Sequence, residues 1–206
     1  MSSQDHAAAH VHRDDIGAKM GMWLFLFTEL LLFGGLFFLY SVYRFINQDA
    51  FHIAAKELNT IIGMFNTAIL LTSSLTMALS IAAIQKNNRN LSVFFQLLTI
   101  VFALGFMVNK YFEWTAKFHH GIFPGSEELL AKSQGEILFF GLYYVMTGLH
   151  GLHVIIGVVL IGFMTRLTQK GVINQGSYVK LEAAGLYWHL VDIIWIFLFP
   201  LFYLIT

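Results

Sequence analysis

Ionisable side chains stand inside otherwise apolar runs at Glu29, at Lys110 and Glu113, at His150 and His153, and at His189 and Asp192. Groups of these types can ligate a metal or haem, carry protons, or tie helices together. His150 and His153 lie three apart in "GLHGLHVIIG", as do His189 and Asp192 in "YWHLVDIIW" and Lys110 and Glu113 in "KYFEW". That spacing puts both members of each pair on one face of a helix. Three histidines on two helices could supply imidazole ligands, but a His pair at this spacing without a nearby carboxylate is a weak metal signature. No residue is assigned as a metal ligand, and none as catalytic. The structural alternative is simple. Lys110 and Glu113 form an ion pair within one helix, His189 and Asp192 hydrogen-bond across one turn, and His150 joins Tyr143 and Thr147 in a polar stripe turned toward other helices.

Glu29 differs from these pairs. It has no basic residue within four positions, so its own helix offers it no salt bridge. It also lies nine residues into its apolar run, about 14 Å along a helix axis and so near mid-membrane. Two readings stand: a neutral acid hydrogen-bonded to a neighbouring helix, or a protonatable station or an acid facing a lipid chain.

The elements that must position these residues follow from composition. The chain has 206 residues, 57% hydrophobic and 12% charged, where a soluble domain carries about 25% charged residues. Its mean hydropathy is +0.68. Twenty-one phenylalanines and two prolines suit long uninterrupted helices. Five apolar segments are long enough to cross a bilayer, near 20–45, 58–85, 91–115, 138–165 and 183–206. None is a short alternating segment of the kind that builds a membrane barrel. The fold class is therefore all-α, a polytopic bundle of five transmembrane helices over 20–206 behind a polar tail at 1–19 that does not read as a cleavable leader.

The absence of cysteine excludes disulfides, thiolate metal sites and cysteine nucleophiles. A formal net charge of zero gives no sign of a nucleic-acid partner. "KNNRN" leaves room only for a tight antiparallel turn between the second and third spans, and the segment around Pro124 and Gly125 makes a short surface excursion. In the second span Asn59, Asn66 and Ser73 recur every seven residues beside the small Gly63, Ala68, Ser74 and Ala78, which predicts a packing face. "HAAAHVHRDD" could bind a metal weakly, although it reads more simply as a flexible polar tail. With the N-terminus inside, Arg13, Lys19, Lys86, Arg89, Arg166, Lys170 and Lys180 face the cytoplasm and Arg44, Lys56, Lys117 and Lys132 face out, which predicts N-in and C-out.

Five blocks, "TELLLFGG" (28–35), "NTAILLTSS" (66–74), "KYFEW" (110–114), "TGLHGLHVIIG" (147–157) and "LEAAGLYWHLVDIIWIFLFPLFYL" (181–204), together resemble subunit III of the haem–copper oxidases. They occur in the family's order, and the last two are highly specific. The chain looks like the short bacterial form, which lacks the first two of seven helices. The resemblance implies an accessory subunit with no cofactor of its own. It would sit in the bacterial inner (cytoplasmic) membrane, in contact with subunit I and in one complex with subunit II and a candidate small subunit IV.

The haem and copper would belong to those partners. The complex would reduce O₂ to water with electrons from cytochrome c, or from quinol, and translocate protons in aerobic electron transport. Bound phospholipid is also implied. By resemblance Glu29, preceded by Thr28, matches the family's buried acid, and Glu113 matches an acid associated with lipid headgroups. His150, His153, Glu182, His189 and Asp192 match the polar core. Lys110 departs from the neutral residue common at its position, which points to lipid or subunit contacts. The alternatives are a subunit III-like protein of a nitric oxide reductase, and a free-standing haem-binding or proton-conducting bundle using His150, His153, His189 and Glu29.

Overall fold

The computed structural model describes residues 15–204. The tail histidines, and any metal reading of them, lie outside the described residues. Five long helices dominate: α1 (Asp15–Ile46), α3 (Thr60–Gln85), α4 (Arg89–His119), α6 (Gln134–Gln169) and α7 (Val179–Tyr203). Each is long and apolar enough to cross a membrane. Two short helices, α2 (Gln48–Ala55) and α5 (Glu127–Leu130), occupy stretches that the hydropathy reading leaves as connections.

Local chemistry sets the helix ends. Asn59 accepts hydrogen bonds from the Ile61 and Ile62 amides at the start of α3, and Asn88 accepts one from Leu91 at the start of α4. Ser133 and Glu136 make a reciprocal capping box that starts α6 four residues before the expected apolar boundary. α4 likewise runs four residues past Thr115 to His119. Each extension carries polar side chains, Gln134 and Glu136 in one and Lys117 and His119 in the other, which lower its hydropathy although the backbone continues to form helix. The tight turn at "KNNRN" places Asn87 in the left-handed region at φ 58°, a conformation asparagine tolerates.

α7 is the most enclosed helix. It packs on α1, α3 and α6, and Trp188, Trp195, Leu198 and Phe202 are fully buried. α3 lies along α4 for most of its length. Close approach between helices depends on glycines: a methyl at Gly157 would stand 2.7 Å from the Trp188 ring, and one at Gly185 would stand 2.7 Å from Ile81. α1 touches the bundle along one stripe, with Leu26, Phe33 and Tyr40 buried at seven-residue intervals. Its other faces expose Trp23, Leu31, Phe38 and Phe45.

Candidate functional site

The polar residues singled out in the sequence fall into three interior groups and one rim pair, with His150 apart from them. The first group is built on α4, where Lys110 and Glu113 share a face. Lys110 Nζ donates to Glu113 Oε2 at 3.1 Å, to Tyr143 Oη at 3.1 Å and to Tyr203 Oη at 2.9 Å, which uses all three ammonium protons. Both tyrosines donate onward to Glu113 Oε1, at 2.7 Å from Tyr143 and 2.5 Å from Tyr203. The network closes on itself, and Lys110 and Glu113 keep 7% and 6% exposure. The Trp195 ring lies 5.1 Å from the ammonium. Lys117 continues this face toward the helix end and donates to the Glu57 carbonyl at 3.3 Å, while Glu57 pairs with Lys132. Tyr203 and Glu57 lie far from α4 in sequence, so only the fold brings them here.

The second group joins α1 to α6. His153 Nε2 lies 2.9 Å from Glu29 Oε2, and its Nδ1 lies 2.8 Å from the Leu149 carbonyl. A carbonyl can only accept, so Nδ1 carries a proton and the remaining proton is held between Nε2 and the carboxyl. Glu29 therefore has a partner on a neighbouring helix. The Phe33 ring closes over His153 edge-on at 5.3 Å.

The third group lies between α3 and α7. Here the expected His189–Asp192 bond is replaced: His189 Nδ1 is 2.7 Å from Ser74 Oγ. The Asp192 carboxyl is buried, and neither of its oxygens has a hydrogen-bond partner. A turn of α7 keeps i and i+3 on one side of the helix, yet α3 comes closer to the imidazole than Asp192 does. Neighbouring bonds complete this seam: Trp188 Nε1 donates to Ser73 Oγ at 3.1 Å and Trp195 Nε1 donates to Thr67 Oγ1 at 3.1 Å, while Asn109 of α4 donates to Asn66 of α3 at 3.0 Å. Ala68 and Ala78, expected on the same packing face, turn outward instead.

His150 lies alone among these groups. It is fully buried, with Phe106 edge-on at 5.6 Å and Trp195 at 5.2 Å, and neither ring nitrogen has a partner. Tyr143 and Thr147 share its buried face, as the stripe requires. Glu182 is at the rim rather than in the interior, with its side chain 28% exposed and 3.5 Å from Lys19. Among the described residues, no three His, Asp or Glu side chains are grouped to hold a metal ion.

Two clefts border these groups. One, of about 440 Å³, runs between α4 and α6; Lys110 lies in its wall together with Met107, Tyr111, Trp114, Gly151 and Leu152. The other, of about 380 Å³, opens between the first turns of α1 and α7, where Lys19, Trp23, Glu182 and His189 line it.

A family model described as cytochrome c oxidase subunit III matches residues 2–206. The chain is 36% identical to a cytochrome c oxidase subunit 3 of Synechocystis sp., over 96% of this chain and 80% of that protein. It is 30% identical to a quinol oxidase subunit 3 of Bacillus spizizenii, over 90% and 85% respectively. It is also 30% identical to a heme-copper oxidase subunit I+III of Aeropyrum pernix, over 91% of this chain and 22% of that longer protein.

Proposed function

The chain belongs to the cytochrome c oxidase subunit III family, and on that premise we propose the role it plays as an accessory subunit of a respiratory haem–copper terminal oxidase. The observation that carries this reading is the family match along essentially the whole helical bundle. The chain itself does no redox chemistry in this proposal. Haem and copper are held by partner subunits, which reduce O₂ to water and translocate protons. Relatives named for cytochrome c and for quinol both resemble this chain, and we take cytochrome c as the donor because a cytochrome c oxidase subunit has the higher identity of the two.

Subunit I is the direct partner, with subunit II and a small subunit IV in the same complex. The relative named subunit I+III supports that adjacency. The exposed apolar faces of α1 suit a helix-packed or lipid-packed neighbour. Residues 20–206 form the membrane domain behind a polar tail at 1–19, in the bacterial inner membrane with the N-terminus cytoplasmic. Phospholipid chains occupy the cleft between α4 and α6, where Lys110 forms part of an otherwise largely apolar wall and Glu113 fixes the lysine. Glu29 is the buried acid held against His153, while His150, His189 and Asp192 furnish the polar interior.

Purification through a tag on this chain in mild detergent tests the assignment. The expected result is an oxidase complex with haem–copper subunits, consuming O₂ with reduced cytochrome c, whose haem stays with the partners after this chain is separated. Preference for quinol would reassign the donor. Reduction of nitric oxide in place of O₂ would move the chain to a reductase complex, and haem retained by the isolated chain would overturn the accessory reading.

A further inference from the structure

We propose that Tyr143 and Tyr203 form a redox-active pair, which gives one electron to a lipid peroxyl radical in the cleft between α4 and α6 and a phenolic proton to Glu113. A file of oxidisable rings joins the pair to that cleft. Trp114 lines the cleft, and its ring meets Tyr144 edge-on at 5.3 Å. Tyr144 meets Tyr143 edge-on at 5.3 Å, and Tyr143 meets Tyr203 at 6.4 Å. All three separations lie within the range of directly packed aromatic rings, about 4.5–7 Å between centroids. Trp114 also stands in the last turns of α4, near one end of its span. A peroxyl group is dipolar and moves from the hydrocarbon toward the membrane surface, which brings it to this level.

Hydrogen-bond partners decide where the missing electron comes to rest. Oxidation makes an indole N–H or a phenol strongly acidic, so the oxidised state is held where a base takes the proton. The Trp114 indole N–H is buried without an acceptor. The Tyr144 hydroxyl donates to the Ile122 carbonyl at 2.6 Å, and a carbonyl accepts the bond but is too weak a base to keep the proton. Tyr143 and Tyr203 instead donate to one carboxylate oxygen, Glu113 Oε1, at 2.7 and 2.5 Å. That is the reach required of a proton acceptor. The two phenols sharing Glu113 are therefore the end of the file.

The step balances in atoms and charge. The peroxyl radical takes one electron from Trp114 and one proton from water and becomes a hydroperoxide. Trp114 recovers its electron through Tyr144 from Tyr143. The Tyr143 O–H bond breaks as this happens: its electron leaves along the file and its proton passes to Glu113 Oε1. A neutral phenoxyl and a neutral carboxyl remain. The phenoxyl oxygen keeps the hydrogen bond from Lys110 Nζ at 3.1 Å, and the Tyr203 hydroxyl stays 3.3 Å from it. The site gains one positive charge, carried by the Lys110 ammonium, which lies over the Trp195 ring at 5.1 Å.

Freeze-quenched electron paramagnetic resonance tests the proposal on the purified assembly containing this chain. The assembly is placed in vesicles of unsaturated phospholipid, with a lipid-soluble azo initiator as the source of peroxyl radicals. Ring-deuterated tyrosine narrows a tyrosyl signal and so identifies it. The wild type should give a phenoxyl signal that is lost when Y143F and Y203F are combined. In E113Q the signal should form about a hundredfold more slowly, the lower end of the effect of removing a positioned proton-transfer group. W114F leaves the Lys110–Glu113 bonds untouched and should suppress the signal while the assembly stays intact. Equal signals in W114F and the wild type would overturn the proposal. So would a signal unchanged in the double tyrosine variant, or a wild type that gives none. The radical reports this chain's own side chains, so absence of oxidase partners would remove the accessory-subunit reading without altering it.

Discussion

His153 Nε2 and Glu29 Oε2 stand 2.9 Å apart and tie α1 to α6 near the middle of α1. Elsewhere α1 meets the bundle through a narrow apolar stripe, a Tyr40 hydroxyl bond to the Leu201 carbonyl and the Lys19–Glu182 rim pair, so this bond is its one polar tie to α6 among the described residues and helps to fix its rotation and height. Burial makes the bond consequential, because either partner left alone would be a poorly solvated polar group.

Glu29→Gln should therefore preserve assembly and oxygen consumption, since the amide can donate to Nε2 in the acid's place. Glu29→Leu should leave His153 unpaired and destabilise the docking of α1 by about 1–3 kcal/mol. Thermal dissociation of the purified complex, followed by the amount of this chain remaining bound, distinguishes them. Equal losses in both variants would mean that the bond does not hold α1.

The Lys110–Glu113 network should behave as a unit. Lys110→Met leaves a buried carboxylate without its cation and should cost about 3–5 kcal/mol. Lys110→Met combined with Glu113→Leu should cost much less than the sum of the single changes. A double-mutant cycle on subunit retention measures the coupling, and additive losses would show that the two charges are independent.

His150 should tolerate an apolar replacement. Both ring nitrogens are buried and unpartnered among aromatic rings. His150→Met should therefore change stability by less than about 1.5 kcal/mol, the usual range for a substitution of similar volume. Loss of the complex in that variant would reveal a polar partner for the imidazole and revive a ligand or proton role.

Gly157 is a contact glycine and Gly141 is not. A methyl at Gly157 meets the Trp188 ring at 2.7 Å, whereas one at Gly141 meets nothing within 4 Å. Gly157→Ala should cost about 1–3 kcal/mol through overpacking. Gly141→Ala should stay within about 0.5 kcal/mol. Equal melting temperatures for the two variants would contradict the assigned α6–α7 contact.

Much of the molecule is set by short-range pattern. Apolar length alone determines five membrane-length helices and the all-α class, because a chain without water must satisfy its backbone within each helix. Spacing along one helix determines the Lys110–Glu113 pair, since residues three apart meet on the same face. The resemblance of "TGLHGLHVIIG" and the last block to subunit III is likewise a property of the linear chain.

Pairing between helices could not be read this way. Periodicity tells which face is polar, but not which helix lies opposite or at what height. The same spacing rule that holds for Lys110 and Glu113 suggests His189 with Asp192, yet the α3 backbone comes close enough for Ser74 to take the imidazole. Close approaches at Gly157 and Gly185 set the heights at which α7 meets α6 and α3. From those heights follow the partners of Glu29, the reach of Tyr203 to Glu113 and the isolation of Asp192. The linear sequence thus determined the helices and their polar faces. Tertiary packing alone decided which polar groups share a bond, because a hydrogen bond needs contact within about 3 Å, and only packed helices bring side chains so distant in the chain that close.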